Sequence, residues 1–289
     1  MKRQLLWFSF LTPALLIYGV FFLIPLYRSM EFGFFKWEGI ARRGFAGLYN
    51  FRIVLEDGSL WHALKNNLIT TSFVLVVQTV IALVLALLVY KGGRKANAYK
   101  FFYFMPIVLS TVSVGFAWSY LYHPSMGPIN AVLKAIGWEN APHWLSDPDI
   151  AMLSVAWVMV WQHAGYEMLF FVAGLQAIPE ELFESCKIEG ASAWQTFTKI
   201  TLPLLQPVTA LAVVLTTVGS FKVFELIYVM TAGGPFSSTK VLAFEIYEQA
   251  FKYNEIGRAS ALSLVLFLLL SLISALQLYY FRNRYDMQP

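Results

Sequence analysis

IPEELFESCKIEGASAWQTFTKITLP, residues 178–203, is the one long polar, foldable stretch set between otherwise apolar spans. Pro179 fits the first turn of a helix because its missing N–H would go unpaired there anyway, and Glu180 and Glu181 complement the positive end of the helix dipole. Gly190 can take the left-handed conformation that ends a helix, and Ser192 with Gln195 three residues on has capping-box spacing for a second. The expectation is two short helices with a break between them. In the second, Ala193, Phe197, Ile200 and Leu204 recur at intervals of four, three and four, one apolar face that leads into the next span. The first carries Leu182, Phe183 and Cys186 beside Glu184 and Glu189.

Composition says what surrounds this insert. Hydrophobic residues make up 58% of the chain and charged ones 13%, with a mean hydropathy of +0.60, far from the balance of a soluble domain. An integral membrane protein is expected. A net charge of +4 and a pI near 9.0 would suggest nucleic acid in a soluble chain, but here the basic residues cluster at span ends, as lipid and topology require. That excludes a nucleic-acid partner and leaves membrane lipid. The lone cysteine, Cys186, excludes an internal disulfide and a multi-cysteine zinc site.

The apolar runs predict six transmembrane helices, at about 5–28, 68–90, 101–122, 150–173, 204–231 and 259–281, in one all-α membrane domain covering 1–289. The first run is too long for a signal-peptide core and lacks a small-x-small cleavage site, so a retained span is expected. Counting every Lys and Arg does not decide orientation. The short segments do: Lys2 with Arg3, then Lys91, Arg94, Lys95 and Lys100, then Arg282 with Arg284 all mark the cytosolic side. Both termini and residues 178–203 are therefore expected in the cytosol.

Glu184-Ser185-Cys186-Lys187-Ile188-Glu189-Gly190-Ala191, closing on Ile200-Thr201-Leu202-Pro203, resembles the EAA loop of the permease subunits of ABC importers, E-A-A-x-x-D-G-A followed by I-x-L-P. Ser185 and Cys186 stand where the family has alanine, and Glu189 where it has aspartate; the size and charge are kept. Further stretches are similar to sugar-type permeases: Gly47-Leu48-Tyr49-Asn50-Phe51, Gly127-Pro128-Ile129-Asn130, Trp144-Leu145-Ser146-Asp147-Pro148, Thr231-Ala232-Gly233-Gly234-Pro235 and Gly257-Arg258-Ala259-Ser260-Ala261. The resemblance implies the MetI-like fold, and a coupling role toward a separate ATPase for Glu184, Ser185, Cys186, Glu189, Gly190, Ala191 and Phe197. An amphipathic helix lying on the membrane surface is the rival. It would favour Lys and Arg over Glu180, Glu181, Glu184 and Glu189.

No G-x-x-x-x-G-K-[ST] phosphate loop and no H-E-x-x-H pair occurs, so neither nucleotide nor metal chemistry is expected within the chain. Gln162, His163 and Glu167 fall in the fourth span, with His163 and Glu167 four apart on one helix face, where ionisable groups are costly and tend to mark a pathway. They could equally satisfy a hydrogen bond between helices. Phe221, Lys222, Phe224 and Glu225 in the fifth span combine rings with hydrogen-bonding charge, as a sugar pathway would, although Lys222 could instead snorkel to the interface.

The resemblance implies a multi-pass subunit of a bacterial or archaeal plasma membrane, not itself an enzyme. ATP and Mg would be bound by two ATPase subunits, beside a second related or identical permease chain and an extracytoplasmic solute-binding protein. The implied cargo is a sugar, with an oligosaccharide favoured, and the alternative is the same machinery carrying a glycerol phosphoester or another polar solute. A secondary transporter or channel using His163 and Glu167 as a proton relay is the rival of another class.

Overall fold

In the computed structural model of the chain, residues 11–39, 41–90, 92–93 and 96–285 are described. Lys2, Arg3, the start of the first expected span at 5–10, Lys91, Arg94 and Lys95 lie outside them, as does the side chain of Arg284. The chain divides into two compact units, Met1–Trp61 with Glu245–Leu269, and His62–Phe244 with Leu270–Pro289.

The first unit opens with helix α1, Leu11–Phe32, which is long and apolar enough to cross a membrane. Its turn Gly19–Leu23 widens to a π-helix, with Ile24 N–H reaching Gly19 O, directly before Pro25. A proline ring clashes with the carbonyl four residues back, and a wider turn accommodates it. Strands β1, Phe35–Glu38, and β2, Ala41–Phe45, then pair antiparallel, Phe35 opposite Phe45 and Glu38 opposite Ala41, with a bulge between Lys36 and Trp37. The all-α expectation is corrected here. Aromatics two apart, Phe35 and Trp37, and a left-handed Gly39 at φ +59° favour a hairpin over a helix.

Helix α2, Tyr49–Glu56, is pinned to the hairpin through Asn50, whose Nδ2 donates to Gly33 O at 2.8 Å and Phe35 O at 2.9 Å. Gly257 packs against this joint, and a Cβ there would stand 2.7 Å from Asn50 Nδ2. Next to it Arg258 Nη2 donates to Asp57 Oδ2 at 2.9 Å.

The second unit is built from helices α3 (Gly58–Tyr90), α4 (Ala96–Val108), α5 (Thr111–Leu121), α6 (Pro128–Ala135) and α7 (Ala151–Gln176). Beyond α7 come α8 (Glu180–Ile188), α9 (Ala193–Leu204), α10 (Gln206–Phe221) and α11 (Glu225–Met230). Helix α12, Leu242–Tyr247, precedes α13, Ile256–Tyr285.

Two expected spans are not straight. The run at 101–122 bends by 95° between α4 and α5. Pro106 removes a backbone hydrogen bond inside α4, and Ser110 is extended at ψ 131°. The run at 204–231 bends by 64° between α9 and α10, where Pro203 and Pro207 flank the joint, and its helix stops again at Lys222 before α11. Among the described residues three helices, α1, α3 and α13, are long and apolar enough to cross a membrane, or five if each bent pair is one span.

Helix α7 is the spine of this unit. Its 26 residues span about 39 Å at 1.5 Å each. One apolar cluster gathers Val155, Val158 and Met159 with Val74, Leu226 and Ile227, and a second gathers Met168, Phe171 and Leu175 with Ala86, Leu205 and Ala212. Lipid is as apolar as these side chains, so close packing holds such helices together more than burial does. Gly165 shows how close: a Cβ there would lie 1.7 Å from Tyr103 O on α4.

Candidate functional site

Residues 178–205 form an elbow whose shape follows from local chemistry. Helix α8 begins one residue later than expected, with Pro179 as its N-cap and Glu180 and Glu181 in its first turn. It ends on a Schellman turn: Ala191 N–H donates to Cys186 O at 2.9 Å and Gly190 N–H to Lys187 O at 3.2 Å. Gly190 sits at φ +73°. The capping box then starts α9, with Gln195 N–H donating to Ser192 Oγ at 3.3 Å and Ser192 N–H to Gln195 Oε1 at 2.8 Å.

The expected apolar face of α9 is shifted. Phe197–Thr201 is a π turn, which takes one residue more than an α turn, so Thr201 and Leu205 are buried while Ala193 and Leu204 are exposed. Ile178, Phe183 and Leu205 pack into the second apolar cluster and fasten both ends of the elbow to α7. Outside this anchor, Glu184, Ser185, Glu189 and Gly190 are exposed, and Cys186, Ala191 and Phe197 are half-buried. The sequence reading passed over two apolar side chains on the same surface, Ile188 at 87% and Trp194 at 71% exposure. Their signal was present, since each is apolar yet off the periodic face.

A cavity of about 180 Å³ lies among α3, α7 and α10, lined by Gln78, His163, Glu167, Thr216, Lys222 and Glu225. Glu167 is 2% exposed, and its Oε2 accepts from Gln78 Nε2 at 2.6 Å and from Thr216 Oγ at 3.1 Å. Gln78 Nε2 also reaches Thr216 Oγ at 3.2 Å, so one carboxylate oxygen ties three helices together. Glu167 Oε1 has no hydrogen-bond partner among the described residues. His163 Nδ1 lies 3.0 Å from Met159 O. A carbonyl only accepts, so Nδ1 carries the proton and Nε2 is left as an acceptor.

Of the residues singled out from sequence, His163, Glu167 and Glu225 meet in this cavity, together with Lys222. Gln162 points elsewhere, its Nε2 donating to Leu109 O at 3.3 Å across the break between α4 and α5. Phe221 is 1% exposed in the core, and Phe224 packs on the rings of Tyr228 and Phe244. Gln78 and Thr216 were missed; each begins a short polar pair inside an apolar run, Gln78-Thr79 and Thr216-Thr217, which was their only trace. The arrangement offers hydrogen-bond donors and acceptors of mixed charge inside a bundle of membrane-type helices. Among the described residues no group of three or more His, Cys, Asp or Glu could hold a metal ion.

The family described as binding-protein-dependent transport system inner membrane component matches residues 78–285. A probable ABC transporter permease protein of Pyrococcus horikoshii is 33% identical over 273 residues, covering 94% of this chain and 93% of its own. The probable starch degradation products transport system permease protein of Thermoanaerobacterium thermosulfurigenes is 29% identical, covering 98% and 96%. In fold, the chain is similar to a solved bacterial ABC transporter involved in the import of the acidic polysaccharide alginate, with a TM-score of 0.85 at 22% identity over 98% of this chain and 96% of that one. This chain belongs to the binding-protein-dependent transport system inner membrane components, the permease subunits of ABC importers, and is a multi-pass plasma-membrane protein.

Proposed function

We propose that this chain, beside a second related or identical permease chain, forms the pathway of an ATP-driven sugar importer and that the elbow at 178–203 is where separate cytosolic ATPase subunits engage it. In this reading the chain crosses six times, through α1, α3, α4 with α5, α7, α10 with α11, and α13, with both termini in the cytosol. ATP and Mg belong to the ATPase subunits, and an extracytoplasmic binding protein delivers the solute.

One observation carries the mechanism. The elbow connects α7 directly to α10, the two helices that hold Glu167 and Thr216 across the cavity. A displacement of the elbow therefore acts on both walls of the cavity at once. Glu184 supplies a carboxylate for a basic residue of the ATPase, and Ile188 and Trp194 supply apolar anchors of the kind that dominate interfaces. Closure of the ATPase pair around ATP then moves the walls, and access alternates.

A sugar is supported by two lines. The Thermoanaerobacterium relative is named for starch degradation products. The cavity also sets the single ammonium of Lys222 beside two carboxyl groups, Glu167 and Glu225, which suits an uncharged polar solute better than a glycerol phosphoester. Proteoliposomes holding the chain with its ATPase subunits and binding protein test this. ATP-dependent accumulation of a labelled neutral oligosaccharide is expected. Accumulation of glycerol phosphoesters alone would replace the substrate class, and uptake that persists without ATP and collapses with an ionophore would replace the mechanism.

A further inference from the structure

The first unit holds another cavity, of about 470 Å³, bounded by the hairpin, α2 and the segment entering α13. Tyr49 and Tyr253 each line it with 51% of their surface exposed, and Lys36, Asn50, Asn254 and Glu255 stand among the rings. Asn50 is 6% exposed, and its hydrogen bonds to Gly33 O and Phe35 O both use Nδ2, which leaves Oδ1 as an acceptor in a residue that lines the cavity. Asn254 is held at φ +57°, a conformation that asparagine tolerates. Lys36 Nζ lies 4.8 Å from the Tyr49 ring centroid. Arg258 is shared between Asp57 at 2.9 Å and Glu255 at 3.4 Å.

The chemistry of this wall selects its ligand. An apolar ligand would cover the Lys36 ammonium, the Asn50 Oδ1 and the Glu255 carboxylate while offering them no hydrogen bond, at the cost of desolvating polar groups. A strongly anionic one would meet Glu255, while the guanidinium of Arg258 is already divided between two carboxylates. Donors and acceptors of both signs interleaved with aromatic rings suit a polyhydroxylated molecule: its C–H faces lie on the rings, and neighbouring hydroxyls bond ammonium, amide and carboxylate.

We propose that this cavity is a saccharide-binding subsite separate from the one walled by α7 and α10. It rests on the importer reading, which puts the hairpin and α2 on the side from which the solute arrives. A site there holds sugar after its release from the binding protein.

The complex of permease and ATPase subunits in nanodiscs, without binding protein, is passed over an array of neutral and acidic oligosaccharides, and the glycan retained is titrated by calorimetry. Tyr253→Ala and Asn254→Gly are each expected to weaken its affinity by about tenfold, the scale of one aromatic or hydrogen-bonding contact. Asn254→Gly suits the left-handed backbone, so it removes the amide while keeping the fold. Trp138→Ala, an exposed side chain that lines neither cavity, is expected to leave this retention in place. The proposal is overturned if no glycan is retained or if both outer substitutions leave affinity unchanged. ATP-driven uptake by the same variants in proteoliposomes supplied with the binding protein separates the two readings. Retention without uptake defeats the importer assignment, and uptake without Tyr253-dependent retention defeats the subsite.

Discussion

Gly190→Val tests the elbow through the backbone alone. A Cβ at Gly190 would meet nothing within 4 Å, so the substitution neither fills nor opens space. Its φ of +73° is the difficulty. An L-residue held in that region costs roughly 1–2 kcal/mol, and a β-branched one lies at the upper end. If the chain escapes by leaving that conformation, it loses the two Schellman hydrogen bonds, from Ala191 to Cys186 and from Gly190 to Lys187. At about 1 kcal/mol net apiece, that loss is of the same size. By either route the bent elbow is disfavoured by about 2 kcal/mol, roughly 30-fold in population. Asparagine costs least among the alternatives and alanine falls between. Co-purification of the ATPase subunits in mild detergent and ATP-driven uptake in proteoliposomes should therefore decline in the order Gly, Asn, Ala, Val, with membrane insertion unchanged by protease protection. Equal assembly and uptake for Val and Gly would refute the reasoning, as would an equal loss for Asn and Val.

Glu167→Gln keeps an oxygen that accepts from Gln78 and Thr216, so assembly should survive while uptake kinetics shift severalfold; unchanged kinetics would make Glu167 a scaffold residue. Gln78→Leu leaves the carboxylate with Thr216 as its remaining side-chain donor, a loss of about 1–3 kcal/mol that should lower the melting temperature of the purified complex. Gly165→Ala forces α4 and α7 apart, because the added carbon would sit 1.7 Å from Tyr103 O; the yield of folded protein by size-exclusion should drop sharply, and a normal yield would contradict that contact. Ile188→Asp with Trp194→Asp should release the ATPase subunits while the chain itself stays folded, and retention of the ATPase would remove these two side chains from the interface.

Local chemistry was legible in the sequence, and geometry set over distance was not. The capping box could be read from Ser192 and Gln195 because both of its hydrogen bonds close within three residues. The apolar face of α9 was misplaced because counting at 3.6 residues per turn cannot foresee the π turn at Phe197–Thr201. Hydropathy is equally blind to the breaks at Ser110 and Lys222: an apolar run scores the same whether it is straight or bent by 95°. In the cavity, His163 and Glu167 announced themselves by sharing a helix face. Gln78 and Thr216 lie 89 and 49 residues from Glu167, so nothing along the chain tied either of them to it until the fold brought them together.

That separation also shapes the proposed cycle. A carboxylate among apolar helices is tolerable only while donors hold it, and Glu167 draws its two from different helices, α3 and α10. Parting α7 from α10 removes the Thr216 hydrogen bond from a charged acceptor, a loss of about 1.5–3 kcal/mol. In the importer cycle this resists idle opening. A sugar hydroxyl can donate where Thr216 did, and Oε1 stands without a partner to receive another. Solute in the cavity thus lowers the cost of separating the same two helices that the elbow joins, and ATP closure at the elbow is coupled to an occupied pathway. If that is so, Thr216→Val should raise the ATP hydrolysis of the complex in the absence of sugar. A basal rate equal to that of the unsubstituted complex would show that the hydrogen bond does not restrain opening.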